Sequence, residues 1–273
     1  MPSQAEKGQT FRALHERDRA FIIPNPWDAG TARLLAHLGF EALATTCAGY
    51  AFSAGQPDNT IDRRDMMAHI SAIVSATGLP VSADLENGFG DSPEIVAETI
   101  NLAAAAGLAG GSIEDMSREP GHNIYEREHA VERIRAAVEV ARGLPFAFTL
   151  TARAENYVCG RPDLGDTIKR LQAYQEAGAG VLYAPGLTSK DDIAAIVSSV
   201  DRPVSVVMGL QGVQLSLAEL SAIGVRRISA GSALSRVALG AFLRAAGEMR
   251  EHGTFTFAKE AVGYRDINAM FVQ

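Results

Sequence analysis

Short apolar segments alternate with segments of helical periodicity along the whole chain. Runs of four to eight residues rich in β-branched and aromatic side chains predict strands, whereas apolar positions three and four residues apart predict helices. The helical segments lie at 28–38, 62–76, 92–106, 125–141, 163–177, 189–200 and 216–223, and several open with an Asp or Ser suited to an N-cap. The predicted strands are FIIPNP (21–26), EALATT (41–46), PVSADLE (80–86), GSIED (111–115), FAFTLTAR (146–153), GVLYAPG (180–186), PVSVVM (203–208) and RRISAG (226–231).

The turns into these strands also alternate, which indicates a repeating β/α unit. The second, fourth, sixth and eighth strands are preceded by a glycine that can end a helix, and the third, fifth and seventh by a proline. Eight such units, with no G-x-G-x-x-G after FIIPNP, fit a parallel (β/α)8 TIM-type barrel of the α/β class better than an open doubly wound sheet. We expect one domain over 1–273, with extra C-terminal helices at about 232–273.

Charge and composition narrow the possible partners and the compartment. The chain has 25 basic and 32 acidic residues, a net charge of -7, and no basic block that could follow a phosphate backbone, so a nucleic-acid partner is not expected. No segment has the apolar length of a signal peptide or a membrane helix, which predicts a cytoplasmic protein without a membrane partner. The two cysteines, Cys47 and Cys159, are predicted to be free thiols in a reducing compartment.

Polar side chains stand where the first five predicted strands end. In TIM-type barrels the active site lies at the carboxyl ends of the strands, so these side chains are expected to converge at one end of the barrel. They are Asn25, then Thr45, Thr46 and Cys47, then Asp84 and Glu86, then Glu114 and Asp115, and finally Arg153 and Glu155.

Three of these carboxylates, Asp84, Glu86 and Glu114, suggest a metal site. Anions packed this closely persist only if protons or a cation neutralise them. Oxygen ligands without a neighbouring His or Cys favour Mg²⁺, with Mn²⁺ as a second option. The alternative is that each carboxylate caps a following helix or pairs with an arginine, which is common for a single D-x-E but less so for three carboxylates on adjacent strands.

Arg153 and the segment at 45–58 are candidates for binding an anion. Arg153 could grip a carboxylate or phosphate through two hydrogen bonds, or it could form a salt bridge with Glu155 or Glu114 alone; the sequence leaves both open. The small residues of 45–58 would let backbone N–H groups approach a carboxylate, unless the segment is an ordinary loop. Cys47 has no nearby His to activate it and is better explained as a buried thiol than as a nucleophile.

The ordered set of motifs resembles the isocitrate lyase/phosphoenolpyruvate mutase superfamily. The motifs are PNPWDAGTARLLAHLGFEALATT, D-x-E-N-G-F-G at 84–90, SIED at 112–115 and ARAEN at 152–156, and the resemblance extends from about residue 8 to 250. It implies a (β/α)8 barrel whose last helix is exchanged with a partner subunit, in a homodimer or homotetramer. It also implies a Mg²⁺ ion held by Asp84, Glu86 and Glu114, largely through water.

The resemblance also implies roles for other residues of the site. Asp58 matches an acidic residue that contributes to the metal site, and Arg153 matches the arginine that binds the substrate carboxylate. Four further residues correspond to a Ser-Gly loop whose amides bind the 2-oxo acid: Cys47, which replaces the usual serine, and Ala48, Gly49 and Tyr50. Members of the superfamily act on small 2-oxo or 2-hydroxy carboxylates through an enolate.

The loop after the fourth strand, MSREPGHNIYE (116–126), departs from the pattern of the lyases. They carry Lys-Lys-Cys-Gly-His, with the Cys as proton donor, whereas Pro120 precedes Gly121 and His122 here. Proline cannot transfer a proton. His122 is the predicted replacement, with Asn123 and Tyr125 as weaker substitutes; alternatively, all three only shape a mobile lid. Asn123 is also a predicted substrate contact.

These observations predict a Mg²⁺-dependent lyase that cleaves a C–C bond in a small 2-oxo or 2-hydroxy di- or tricarboxylate through a metal-stabilised enolate. Oxaloacetate decarboxylase-like chemistry fits the missing Cys best, and methylisocitrate lyase-like chemistry is the other form. Two alternatives stay open: a phosphonopyruvate mutase or hydrolase, which would use the same metal site, and a catalytically impaired 2-oxo acid binding protein.

Overall fold

The computed structural model describes residues 1–119, 122–210, 212 and 214–272. Within them, eight parallel strands form one sheet in the order β1-β10-β9-β8-β7-β4-β3-β2. The N–H of Ala44 donates to the carbonyl of Pro24 at 3.0 Å and so joins the two ends of that order. The strands are β1 (Phe21–Ile23), β2 (Leu43–Ala44), β3 (Val81–Asp84), β4 (Gly110–Glu114), β7 (Thr149–Arg153), β8 (Val181–Tyr183), β9 (Val204–Val207) and β10 (Arg227–Ser229). The predicted (β/α)8 barrel is confirmed.

Helices follow the strands around the outside of the barrel. The predicted Asp and Ser N-caps are confirmed, because the side chains of Asp28, Asp62, Ser92, Asp163 and Ser189 each accept a backbone N–H from the first turn. The helices are α1 (Gln4–His15), α2 (Ala29–His37), α3 (Cys47–Ser53), α4 (Arg63–Ala76), α5 (Pro93–Ala105), α6 (Arg127–Gly143), α7 (Leu164–Ala177), α8 (Lys190–Ser199), α9 (Leu217–Ala222), α10 (Ala233–His252) and α11 (Tyr264–Ala269), with a 3-10 turn at Thr256–Lys259.

Three elements were not predicted from the sequence. Helix α1 begins with a capping box between Ser3 and Glu6 and buries Phe11 and Leu14 against the barrel. Helix α3 occupies part of the segment interpreted as a loop at 45–58, where the Thr46 side chain caps it. The segment after β4 folds back as a hairpin of β5 (Met116–Glu119) and β6 (His122–Ile124). Each is short or weakly amphipathic, so periodicity alone did not distinguish it from a loop.

The apolar core lies between the strands and the helices, whereas polar residues occupy the barrel interior. Successive side chains of a strand point to opposite faces. In β7, Leu150 and Ala152 therefore pack outward into the core, and Thr151 and Arg153 point inward. The inward positions consequently deliver polar side chains to the carboxyl end of the barrel.

The C-terminal helix α10 leaves much of its apolar surface exposed. Val237, Phe242 and Leu243 are exposed by 69%, 66% and 66%, and Ile22 on strand β1 is exposed by 40%. A chain segment or a partner that packs there would bury them. In the described part of the chain, no helix combines the length and the apolar character that a membrane span requires.

Candidate active site

Arg153 at the end of β7 binds three carboxylates at the barrel mouth. Its Nη1 lies 2.8 Å from Asp84 Oδ1, its Nη2 lies 3.1 Å from Glu114 Oε2, and its Nε donates to Glu155 Oε1 at 2.8 Å. The Asp84, Glu114 and Glu155 side chains are 29%, 4% and 1% exposed. The structure therefore brings these strand-end residues together, and Arg153 forms ion pairs with Glu155 and Glu114, the two partners that the salt-bridge alternative names.

Backbone hydrogen bonds between adjacent strand ends hold the acidic residues in place. The Asp84 N–H donates to Thr45 Oγ1 at 3.1 Å, and the Glu114 N–H donates to the Glu86 carbonyl at 3.0 Å. Glu86 has φ +50°, a left-handed conformation that is uncommon for a residue with a side chain, and it is only 2% exposed. The tight turn after β3 thereby keeps the Glu86 carboxylate inside the site.

A second arginine, Arg133 of α6, supports this end of the barrel from behind. It is 1% exposed and donates to the carbonyl oxygens of Glu114 (3.2 Å), Asn87 and Gly90 (3.0 Å). Its guanidinium also lies over the Tyr125 ring, 4.2 Å from the ring centre. Arg133 therefore fixes the turn after β3 relative to the end of β4, which sets the positions of the acidic side chains.

Burial and mutual repulsion shift the pKa values of the site. Burial raises the pKa of Glu114 well above its usual range, Arg153 opposes this shift, and Glu155 and Asp84 add to it. Burial likewise raises the pKa of Glu155 to about 6, again against the effect of Arg153. Although burial opposes the charge of Arg153, the carboxylates of Glu155, Glu114 and Asp84 raise its pKa well above normal. Arg153 alone therefore does not offset the burial and mutual repulsion of these carboxylates.

The cluster opens into a cavity of about 330 Å³ that runs down into the barrel. This volume lies at the lower end of ligand pockets and suits a small acid. Among the predicted site residues, Asp84, Glu86, Glu114, Arg153, Asp58, Cys47 and Ala48 line it. Asp58 is exposed and stands at the rim. A larger groove of about 910 Å³, at the opposite end of the barrel, contains none of these residues.

Two of the four residues predicted to bind substrate through their amides are already bonded within α3. The Gly49 N–H donates to Thr46 Oγ1 at 3.2 Å, and the Tyr50 N–H donates to the Thr46 carbonyl at 3.0 Å. The Tyr50 ring stacks on His69 with 3.7 Å between ring centres. These two amides are therefore engaged by the helix, and the substrate contact predicted for this segment stays a prediction. Only the first two helical residues, Cys47 and Ala48, face the cavity.

Cys47 is a buried thiol. Its Sγ–H donates to the Asp84 carbonyl at 3.1 Å. Burial, together with the negative charges of Asp84, Glu114 and Asp58, raises its pKa well above normal, so the thiolate does not form near neutral pH. The interpretation as a thiol rather than a nucleophile is consistent with this environment.

The acidic residues fit a hard divalent cation bound partly through water. The donor set is entirely carboxylate, and two of its members, Glu86 and Glu114, are almost fully buried. Such buried, mutually repelling carboxylates are the chemistry that Mg²⁺ neutralises. Within 1–119, 122–210, 212 and 214–272, no group of three or more His, Cys, Asp or Glu side chains stands at direct-ligand spacing, so water would complete the coordination.

The β5–β6 hairpin after strand β4 carries the predicted lid residues. Pro120, Gly121 and the side chain of His122 lie outside the described residues, so the predicted role of His122 stays a prediction. Asn123 is exposed, and its carbonyl accepts a hydrogen bond from Cys159 Sγ at 3.0 Å. The Tyr125 hydroxyl donates to Asp91 and accepts from Asn87. Burial, followed by the hydrogen bond to Asp91, raises the pKa of Tyr125 to about 12, whereas Arg133 and Asn87 act to lower it. Tyr125 is thus held in a structural contact.

The cavity-lining residues that sequence reasoning missed include Tyr183 of β8 and Arg227 of β10. The Arg153 guanidinium lies 5.2 Å from the centre of the Tyr183 ring. Inward and outward positions alternate in RRISAG, so the alternation around the apolar Ile228 was a signal that Arg227 and Ser229 point inward.

Comparisons with known proteins agree with this fold. The sequence model of the family described as phosphoenolpyruvate phosphomutase matches residues 11–250. A crystal structure of a candidate lyase/mutase from Burkholderia cenocepacia J2315 is 67% identical, has a TM-score of 0.97, and covers 99% of this chain and 97% of its own.

Two relatives carry the names of enzymes. The 2,3-dimethylmalate lyase of Eubacterium barkeri is 30% identical over 226 residues, which is 78% of this chain and 76% of the relative. The oxaloacetate decarboxylase of Chromohalobacter salexigens is 29% identical over 257 residues, which is 92% of this chain and 88% of the relative. The chain therefore belongs to the phosphoenolpyruvate phosphomutase family, within the isocitrate lyase/phosphoenolpyruvate mutase superfamily, as an enzyme of the lyase class.

Proposed function

We propose that this protein is a Mg²⁺-dependent lyase that cleaves a C–C bond in a small 2-oxo or 2-hydroxy carboxylate. The observation that carries the proposal is the contact of Arg153 with Asp84, Glu114 and Glu155 at the mouth of a 330 Å³ cavity. An arginine and several carboxylates at one barrel mouth provide both a site for an anionic substrate and a site for a cation. Oxaloacetate decarboxylase-like activity is the preferred form.

Arg153 would bind the carboxylate of the substrate. Of its three partners, Asp84 is the most exposed, with 29% of its side chain accessible, so this ion pair is the least costly to replace. Glu155 is 1% exposed and would remain paired, which keeps the guanidinium oriented while its Nη1 turns to the substrate. The exchange would also release Asp84 to the cation.

Asp84, Glu86 and Glu114 would hold Mg²⁺, with Asp58 at the rim. When bound, Mg²⁺ supplies positive charge that stabilises negative charge developing on the oxygen atoms of a 2-oxo acid. Cys47 and Ala48 at the start of α3 line the same cavity and would exclude water from one side of the substrate.

The loop after strand β4 favours one type of bond cleavage over the others. Pro120 stands where a lyase of this superfamily has its proton-donating Cys, so a reaction that depends least on that donor is favoured. Decarboxylation of a 2-oxo acid fits, because the bond electrons stay on the substrate as CO₂ departs and the proton can arrive afterwards. His122 is the proposed donor for that later step, with Asn123 a proposed substrate contact on lid closure.

The test is an assay of the purified protein with Mg²⁺ against oxaloacetate, 2-methylisocitrate and 2,3-dimethylmalate, following pyruvate and CO₂. We expect turnover of at least one acid, loss of activity with EDTA, and at least about a 100-fold loss in Arg153→Met. Arg64→Met is the matched control, because Arg64 is exposed and does not line the cavity. Consumption of phosphonopyruvate alone, seen by phosphorus-31 NMR, would establish C–P chemistry instead. Binding of oxalate without any turnover would identify a binding protein.

We also propose that the protein is a homodimer or homotetramer in the cytoplasm, with α10 packed on a partner subunit. Phe242 and Leu243 on α10 and Ile22 on β1 are too exposed for a stable monomer surface of this size. A second copy of α10 that covered Ile22 would bury both apolar surfaces at once. Sedimentation equilibrium of the full chain tests this proposal, and a monomer at micromolar concentration would contradict it.

A further inference from the structure

A buried arginine, Arg227, lies at the floor of the same cavity, since it begins β10 whereas Arg153 ends β7. It is the first residue of β10, it lines the cavity, and it is 6% exposed. Its Nε donates to Ser205 Oγ at 2.9 Å. Its Nη1 is buried and has no hydrogen-bond partner within the described residues. A charged side chain that lines the cavity therefore has a donor for which the described residues offer no acceptor.

No acidic side chain compensates the charge of Arg227 in the described part of the chain. The carboxylates of Asp84, Glu114 and Glu155 all pair with Arg153. Burial lowers the pKa of Arg227 to about 10, while the Tyr183 phenol raises it and the Arg153 guanidinium lowers it further. At neutral pH Arg227 is therefore still a cation.

The group beneath Arg227 cannot compensate either. His15 is buried, and burial together with the Arg227 charge lowers its pKa to about 3, so the imidazole is neutral. Its Nδ1–H donates to the Phe11 carbonyl at 2.8 Å. Keeping a buried cation without an anionic partner costs free energy, which a bound anion would recover.

The barrel interior leaves room for such an anion. TIM-type barrels usually fill this space with bulky branched side chains. Here the inward positions that line the cavity include Ser82, Ser112 and Ser229, and Ser205 holds Arg227. These small hydroxyl groups leave a polar channel between the acidic cluster and Arg227. An elongated ligand could therefore contact Arg153 at one end and Arg227 at the other.

We propose that Arg227 binds the second carboxylate of the substrate and selects dicarboxylates over monocarboxylates. The inference deepens the proposed function, since it concerns the same pocket and rests on that pocket being the substrate site. It assigns the substrate to the class of 2-oxo or 2-hydroxy dicarboxylates, with one carboxylate at the barrel mouth and the other at the floor. Arg227 is a specificity residue, and Ser205 is a positioning residue that acts through it.

The experiment compares acids that differ by one carboxylate, with Mg²⁺ present and binding measured by calorimetry. Malate is lactate with a carboxylate in place of one methyl hydrogen, and 2-hydroxyglutarate relates to 2-hydroxybutyrate in the same way. We expect the wild-type protein to bind the dicarboxylate of at least one pair more tightly. Arg227→Met should weaken the binding of that dicarboxylate by about 10- to 100-fold and the binding of its monocarboxylate by less than about threefold. The reason is that only the dicarboxylate loses a charged hydrogen bond.

Two variants separate charge from packing. Arg227→Lys keeps the positive charge and should restore part of the preference for the dicarboxylate. Arg226→Met changes the neighbouring arginine, which is half-buried, donates to the Gly224 carbonyl at 3.4 Å and does not line the cavity. It should leave both affinities unchanged. If Arg227→Met fails to fold, Ser205→Ala is tested, with an expected loss of about 3- to 10-fold for the dicarboxylate alone.

Several outcomes would overturn the inference. The first is that the wild-type protein binds no acid of either pair or does not prefer a dicarboxylate. The second is that Arg227→Met folds and keeps the preference. The third is that Arg227→Met weakens the binding of both acids of a pair equally. A changed Mg²⁺ affinity with intact discrimination would assign Arg227 to balancing the acidic cluster, and would also overturn it. Discrimination through Arg227 without turnover of any acid would support the inference and refute the lyase. Turnover of an acid, with discrimination that does not depend on Arg227, would support the lyase and refute the inference.

Discussion

Replacing Arg153 with Met tests how the acidic cluster is held together. The substitution leaves Glu114 and Glu155, 4% and 1% exposed, without their cationic partner. Removing one partner of a buried ion pair costs about 3–5 kcal/mol, because an uncompensated charge remains. A raised pKa of about 6 for Glu155, against an ordinary 4.5, already corresponds to about 2 kcal/mol at pH 7. We therefore expect the variant to lose about 3–5 kcal/mol of unfolding free energy at pH 7.5.

The loss should depend on pH in a defined direction. Since Arg153 lowers the pKa of both glutamates, its removal raises their folded-state pKa further above the unfolded value. A carboxyl group with a raised folded-state pKa favours the folded state below its unfolded pKa, and this contribution disappears as pH rises through the folded pKa. The deficit of Arg153→Met should therefore be largest above pH 7 and should shrink as the pH falls towards 4.5.

Urea unfolding followed by circular dichroism, between pH 5 and 8, measures the effect. Arg64→Met is the control, because Arg64 is 84% exposed and its surface ion pairs should contribute less than about 1 kcal/mol. Millimolar Mg²⁺ should stabilise Arg153→Met more than the wild-type protein, since the cation replaces the lost charge. A deficit below about 1 kcal/mol at pH 7.5, or one that is constant from pH 5 to 8, would refute the reasoning.

Other predictions concern the rest of the molecule. Burial lowers the pKa of His15 from 6.5 to about 3. The unfolding free energy of the wild-type protein should therefore fall by about 2 kcal/mol, through protonation of His15 in the unfolded state, as the pH drops from 6.5 to 5. His15→Gln should remove this pH dependence, and His37→Gln should not. Cys47 should resist iodoacetamide at pH 7.5 in the folded protein, and modification at the rate of a free thiol would contradict its burial. Arg133→Met should cost about 3 kcal/mol in thermal unfolding and weaken Mg²⁺ binding, because three carbonyl contacts are lost; unchanged Mg²⁺ affinity would remove its assigned role. Phe242→Asp should shift the sedimentation of the protein towards monomer, and an unaltered oligomer would place the interface elsewhere.

The barrel itself was readable because its signals are local. Each strand is a short apolar run, each helix has its own periodicity and cap, and the alternation of glycine and proline before the strands repeats through the chain. The polar residues of the mouth were readable for the same reason, since each one ends its own strand. The short helix α3 could not be predicted from the sequence, because its seven residues carry too little periodicity to distinguish a helix from a loop.

The sequence by itself determined which polar residues end the first five strands, since strand direction and alternation follow from neighbouring residues. Only the tertiary structure decided how they pair. Arg153 contacts Asp84, Glu114 and Glu155 rather than one of them, and Arg133 of α6 reaches carbonyls at the end of β4 and in the turn after β3. The segment RRISAG did not by itself show that Arg227 is buried, whereas the closed barrel places it in the lining of the same cavity. The physical reason is that the energy of a charge depends on burial and on groups distant in sequence, which closure of the barrel alone brings together.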